Sequence, residues 1–258
     1  MSTQTIAQVL PQVSKPTPQP LQRSTAAENK SVECPECDGA GWYRYDVPVG
    51  HPQFGRNIRC GCKRAEDVAR LQRLSGLTAS EQAVRLDDIV AAGSGTKAMV
   101  SAAREFVKNP YGFLTIHGTT GNAKTTVLQG VVNELVDGGV EAVYVTAFDL
   151  LGYIRKAFNA SKDIVNLDAH DRLKRLEVVR VLCIDELDKV RWTEFVEEQI
   201  TDLIDARYRL GIDFSVGTVI AMNADPETLP SWIYRRLRDG RNKIVKNADP
   251  DVRPNMEV

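Results

Sequence analysis

The residues Gly118-Thr119-Thr120-Gly121-Asn122-Ala123-Lys124-Thr125 combine a glycine-bearing turn with a lysine and a hydroxyl at its end. The apolar run Gly112-Phe113-Leu114-Thr115-Ile116-His117 leads into them, and Thr126-Val127-Leu128 leads out. A strand, a turn and a new helix in that order present backbone N–H groups at a helix N-terminus, where they cradle a β-phosphate. Lys124 would reach the β- and γ-phosphates and the Thr125 hydroxyl would complete a Mg2+ shell, so Gly118 to Thr126 read as a nucleotide-binding loop. Ala123 stands where glycine is usual, so that position either has a negative φ or is strained.

A second acidic and a third polar element fit the same chemistry. The apolar stretch Val178 to Ile184 ends in Asp185-Glu186. Asp185 would hold the Mg2+ shell directly or through water, and Glu186 would orient and deprotonate an attacking water. Asn223, after the apolar run Phe214 to Met222, could touch the γ-phosphate or place that water, or it could simply turn the chain before Asp225-Pro226. The arginine-rich stretch Ser231 to Arg238 is either solvated surface or a source of a guanidinium for a neighbour's nucleotide.

Cysteine usage adds a separate chemistry. Four of the five cysteines lie in Cys34-Pro35-Glu36-Cys37 and Cys60-Gly61-Cys62. Two close pairs with glycines beside them can give four thiolates to one Zn2+, Cys34, Cys37, Cys60 and Cys62 being the ligands and His51 a possible substitute. The alternative is two reduced thiol pairs in a loop-rich segment. Between the pairs, Trp42, Tyr43, Arg44, Tyr45, Phe54, Arg56 and Arg59 could form a small core, dock a protein or stack on unpaired bases.

The elements that must position these groups follow from periodicity. Lys63 to Leu74 is helix-compatible, Thr78-Ala79-Ser80-Glu81 has the form of a capping box, and Met99, Ala102, Ala103, Phe106 and Val107 recur at helical spacing before Asn109-Pro110. Past the phosphate loop, a helix over Val127 to Val136 is stopped by Asp137-Gly138-Gly139. A strand at Glu141 to Thr146, a helix from Phe148 to about Phe158 and a polar loop from Asn159 to Asp168 come next. A helix around Leu173, the strand to Glu186, a helix from Glu194 to Leu210 and a last strand near Lys243 to Val245 complete the order. Alternating strands and helices imply an α/β domain with a parallel sheet.

A chain of 258 residues with a formal net charge of −1 can hold one α/β domain of roughly 150 to 180 residues with a smaller appendage. The balance argues against a uniformly basic nucleic-acid coat and leaves room for local patches. Residues 1–30 read as a disordered arm, 31–75 as a zinc-binding, partner-docking module, and 76–258 as the nucleotide domain. No window has the uninterrupted apolar length of a membrane span, which fits a soluble cytoplasmic protein.

From Leu86 to Val245 the chain resembles the AAA+ helicase-loader ATPases of the DnaC and DnaI type and the related IstB transposition ATPases. The likeness rests on Gly112 to Gly118 entering the phosphate loop, Ile184-Asp185-Glu186, Asp205-Ala206-Arg207-Tyr208, Asn223 as sensor 1, and Arg235-Arg236-Leu237 at the arginine-finger box. It implies a P-loop AAA+ parallel sheet flanked by helices, with no C-terminal lid domain and a small zinc-binding domain in front. Arg236 would be the finger acting in trans in a homo-oligomer, Arg207 a second interface candidate, and Arg253 the late candidate for sensor 2. The chain departs from the pattern at Ala123, and at Glu186, where many loaders have a second Asp. Cys34 to Gly41 resembles the N-terminal zinc domains of some loaders, which would dock on a replicative ring helicase, and shares the Cys-x-x-Cys-x-Gly-x-Gly form of DnaJ zinc repeats.

The implied function is ATP-dependent loading of a replicative helicase, with single-stranded DNA bound and ATP cleaved at subunit interfaces. Its host would be a bacterium or a phage within one. Loops near Lys162 to Asp168 or Lys189 to Trp192, or the C-terminal arginines, would touch DNA. The rivals are an IstB-like helper that recruits a transposase and a non-hydrolysing adaptor in which nucleotide is a structural ligand.

Overall fold

A computed structural model describes residues 18–20, 34–52, 54–91, 93–158, 167–213 and 215–251. The expectations for the N-terminal arm apart from 18–20, for the loop over 159–166 and for Arg253 lie outside the described residues. The chain divides into two compact units, Met1–Asp67 and Val68–Val258.

In the first unit, β1 (Pro18–Pro20) pairs antiparallel with β2 (Trp42–Tyr45), which pairs with β3 (Ile58–Arg59). So small a sheet cannot bury much, and the buried hydrophobic side chains among its described residues are those of Cys37 and Cys60. Trp42 and Phe54 are exposed rather than central. The Arg59 guanidinium lies 4.9 Å from the centre of the Trp42 ring and pairs with Asp67 at 2.8 Å. Helix α1 (Arg64–Leu74) follows.

The second unit is built on a five-stranded sheet in the order β5 (Ala142–Thr146), β6 (Val181–Asp185), β7 (Gly217–Met222), β4 (Gly112–Gly118), β8 (Lys243–Asn247). All pairings are parallel. Strands buried on both faces should be apolar throughout rather than alternating, and every residue of β6 and β7 is buried. One face is covered by α2 (Ser94–Lys108) and α3 (Lys124–Asp137), through Met99, Ala103, Leu128, Val131 and Leu135. The other is covered by α4 (Ala147–Phe158), α5 (Leu167–Val178), α6 (Glu194–Ile212) and α7 (Ser231–Leu237), through Leu150, Ile154, Leu176, Ile200, Ile204 and Ile233.

Element ends follow local chemistry. Gly138 caps α3 with its N–H on Glu134 O, and Gly139 takes the left-handed conformation that stops it. The Glu81 carboxylate accepts from Thr78 N–H at 2.8 Å, as a capping box requires, but it opens a short 3-10 turn, Glu81–Ala83, not an α-helix. The strand expected from Val178 begins at Val181: Val178 closes α5 and is exposed, so its apolar side chain marks no buried strand position. Among the described residues no helix is long and apolar enough to cross a membrane.

Candidate functional site

Parallel register decides where the functional groups meet. His117 on β4 sits opposite Met222 on β7, Ile184 on β6 opposite Ile220, and Thr146 on β5 opposite Asp185. The phosphate loop, Asp185-Glu186 and Asn223 therefore leave the sheet at one edge, the carboxyl ends of the strands, where open α/β sheets bind ligands. A cavity of about 350 Å3 opens there, lined by the loop from Thr120 to Thr126 with Asp185, Glu186, Lys189, Met222 and Asn223.

The loop is closely held. Gly118 has φ +141° and passes so near β8 that a Cβ on it would lie 1.7 Å from Asn247 O. Ala123 has φ +65°, ψ +18°, so the strained alternative is the one realised. Lys124 is buried, and its Nζ donates to Gly118 O at 2.9 Å, Thr119 O at 2.5 Å and Asn122 Oδ1 at 2.9 Å. Ala123→Gly is expected to raise the thermal midpoint slightly: relief of roughly 1–2 kcal/mol of left-handed strain is partly offset by roughly 0.5–1 kcal/mol of unfolded-chain entropy. A lower midpoint for that variant counts against strain.

On the facing wall, Asp185 is buried and gripped by three donors. Burial pushes its carboxyl up, opposed by hydrogen bonds from Thr125, Tyr144 and the Glu186 N–H. The Tyr144 hydroxyl lies 2.9 Å from Asp185 Oδ2. A hydroxyl and a carboxylate side by side are the hard oxygen donors that suit Mg2+. Glu186 is left-handed too, at φ +58°, and its carboxylate pairs with Lys189 three residues on. Asp188 Oδ2 accepts from Ala224 N–H at 3.3 Å, tying the turn after β6 to the loop that carries Asn223. Tyr144 and Asp188 carry no motif signature, and Lys189, read as a DNA-loop residue, stands in the cavity wall.

The arginines separate. Arg236 lies outside the residues lining this cavity, its Nε 2.7 Å from Asp205 Oδ1 and its guanidinium 4.6 Å from the Tyr208 ring centre. Arg207, expected at an interface, is instead fully buried. Its guanidinium donates to Thr218 Oγ1 and to the carbonyls of Leu176, Glu177, Val179 and Gly217. Burial pushes its pKa down to about 9, which leaves it charged at neutral pH.

In the first unit the four cysteines close on one point, all sulfurs lying within 4.8 Å of one another, Cys34 to Cys60 at 3.6 Å and Cys37 to Cys62 at 3.5 Å. A tetrahedron with Zn–S bonds of about 2.3 Å has edges of about 3.8 Å, so the set could hold zinc. Gly41 N–H points at Cys37 Sγ, 3.2 Å away. Backbone N–H groups of Glu36 and Cys37 hold Cys34 down to about 7, while Cys60, despite the Cys62 N–H, is pushed up to about 12 by burial and the neighbouring sulfurs. His51 stands outside the cluster. Purified protein is expected to carry one zinc per chain by atomic absorption, and Cys37→Ser to lose it. Retention of the metal by that variant would remove Cys37 from the ligand set.

No family model matches the chain. A curated relative, the uncharacterized protein YqaM of Bacillus subtilis (strain 168), is 26% identical over 202 residues, covering 70% of this chain and 61% of the relative. The chain thus spans less than two thirds of that protein. Among solved structures, DnaI aligns with TM-score 0.55 and 20% identity over 71% of this chain and 100% of that one. The DnaC helicase loader aligns with TM-score 0.52 and 20% identity over 66% and 99%. The replication initiator DnaA, bound to AMPPCP and single-stranded DNA, aligns with TM-score 0.54 and 16% identity over 64% of this chain and 49% of that one. At 16% to 20% identity these likenesses show a shared architecture alone: the parallel sheet flanked by helices is the fold that these replication proteins also have.

Proposed function

We propose that this chain is an ATPase that binds ATP with Mg2+ in the cavity at the sheet's carboxyl edge, assembles side by side with further copies, and delivers a replicative ring helicase to single-stranded DNA in the bacterial cytoplasm. The observation that carries the reading is the convergence of Lys124, Thr125, Asp185, Glu186 and Asn223 on one cavity. Thr125 and Asp185 would hold Mg2+, which when bound neutralises phosphate charge. Lys124 exchanges its three loop acceptors for phosphate oxygens, so its charge is placed before the ligand arrives. Glu186 takes a proton from water, and Asn223 fixes the position of that water or of the γ-phosphate.

Arg236 contributes nothing to its own cavity, which supports a role at the cavity of an adjoining copy. The exposed Trp42, Arg59 and Phe54 of the first unit offer the surface for the helicase. The test is steady-state ATP turnover with and without a DNA oligomer, for the native chain, Lys124→Ala, Arg236→Ala and an equal mixture of the two variants. A trans arginine gives two inactive variants and partial recovery on mixing. Near-native turnover in both variants defeats the mechanism, and tight binding without turnover in the native chain leaves the adaptor. Capture of a transposase in place of a ring helicase overturns the partner.

A further inference from the structure

The outer side of the phosphate loop is tied to the end of β8 and to the start of α2, and no motif gives that tie a role. Asn122 and Asn247 are both buried, at 1% and 0% exposure. They exchange hydrogen bonds across 125 residues of chain: Asn122 Nδ2 donates to Asn247 O at 2.8 Å, and Asn247 Nδ2 donates to Asn122 O at 3.1 Å. Asn122 Oδ1 receives Lys124 Nζ. Behind this pair, Asn247 Nδ2 reaches Thr96 Oγ1 at 3.3 Å, and Asn247 Oδ1 accepts from Asp249 N–H at 3.0 Å. The Asp249 carboxylate caps α2, accepting from Thr96 N–H at 2.6 Å and Thr96 Oγ1 at 2.8 Å. Thr119 Oγ1, back in the loop, donates to Asp249 O at 2.9 Å.

Resting on the nucleotide reading above, we infer that Asn247 is a positioning residue that aims the phosphate loop at a β-phosphate. The Asn122 carbonyl and the Ala123 N–H belong to one planar trans peptide, so they point in opposite directions. Holding the carbonyl outward on Asn247 turns the Ala123 N–H toward the cavity that Ala123 lines. The same bond fixes the peptide plane about which φ of Ala123 is measured, with α3 fixing the far side. A residue in left-handed strain persists only where its surroundings over-determine it. The side chain of Asn247, anchored through Thr96 and Asp249, supplies that restraint from outside the loop, at a position no nucleotide needs to touch.

The experiment measures Mg·ADP affinity and the thermal midpoint, with and without saturating Mg·ADP, for the native chain, Asn247→Ala, Thr96→Val and Lys243→Ala. Lys243 shares β8 but points its amine at Glu105 on the surface, so it controls for effects of altering the strand. Asn247→Ala is expected to bind Mg·ADP about tenfold more weakly, the effect of losing the one side-chain hydrogen bond by which Asn247 holds the loop. Its midpoint should fall further with nucleotide present than without, whereas a purely structural role lowers both midpoints equally. Lys243→Ala should match the native chain. Affinity of Asn247→Ala within twofold of native overturns the inference. If that variant does not fold, Thr96→Val decides it, with about threefold weaker binding expected because the two bonds of Thr96 Oγ1, to Asn247 and to Asp249, no longer anchor Asn247, and unchanged binding overturning it. Failure of the native chain to take up Mg·ADP at all defeats the nucleotide reading instead.

Discussion

Replacing Glu186 by Gln is expected to lower ATP turnover by roughly 10²- to 10⁴-fold, the usual contribution of a positioned general base, while Mg·nucleotide affinity stays within about threefold. The amide keeps the shape of the carboxylate and removes its basicity, so binding and chemistry separate. β6 delivers Asp185 into a buried site, and the left-handed turn at Glu186 carries its side chain to the cavity wall beside Lys189. An αL backbone at a bulky, non-glycine residue costs energy, and such outliers gather at active sites. Lys124→Ala should behave in the opposite way, losing affinity first, because its ammonium is directed at the loop that would receive phosphate. Turnover measured alongside fluorescent-nucleotide binding distinguishes the two patterns. Native turnover in Glu186→Gln would show that another group activates the water.

Replacing Arg207 by Leu should destabilise the second unit by roughly 3–5 kcal/mol, the usual cost of breaking a buried charged network. For a unit of this size that lowers the thermal midpoint by roughly 6–20 °C. The guanidinium satisfies Thr218 Oγ1 and the carbonyls at 176, 177, 179 and 217, so it joins the end of α5 to the start of β7 from a position on α6. Leucine fills part of the volume but leaves those oxygens buried without donors. Lysine is not a substitute, because one ammonium cannot reproduce the planar fork. An exposed interface arginine would change stability by no more than about 0.5 kcal/mol, so urea unfolding followed by circular dichroism decides between the two placements. A loss below about 1 kcal/mol would contradict the buried network.

Much of the molecule was legible because its signals are local. Gly118, Gly121, Lys124 and Thr125 are spaced by the geometry of one turn and one helix start, so eight consecutive residues disclose the strand–turn–helix that lines the cavity. The apolar runs that became β4, β6 and β7 are continuous because parallel strands are covered on both faces, and Asp137-Gly138-Gly139 ends α3 through bonds to its own last turn. The cysteine pairs likewise disclose by type and spacing the four-sulfur cluster into which they fold.

What the tertiary structure alone decided are the relations between residues far apart in the chain. The Tyr144 hydroxyl meets Asp185 because β5 and β6 are in register, the partners lying 41 positions apart in the chain. Arg207 lies in a sequence context that reads as surface, and its burial depends on carbonyls 28 to 31 residues away turning toward it. Asn247 reaches Asn122 because β8 runs beside β4. The sign of φ at Ala123 belongs to the same class, since alanine prefers the opposite sign and is held there by neighbours that the chain brings from elsewhere. Residue type and short spacing state which reactions a chain is equipped for; only packing states which of its polar groups are left facing the cavity and which are consumed in holding the fold.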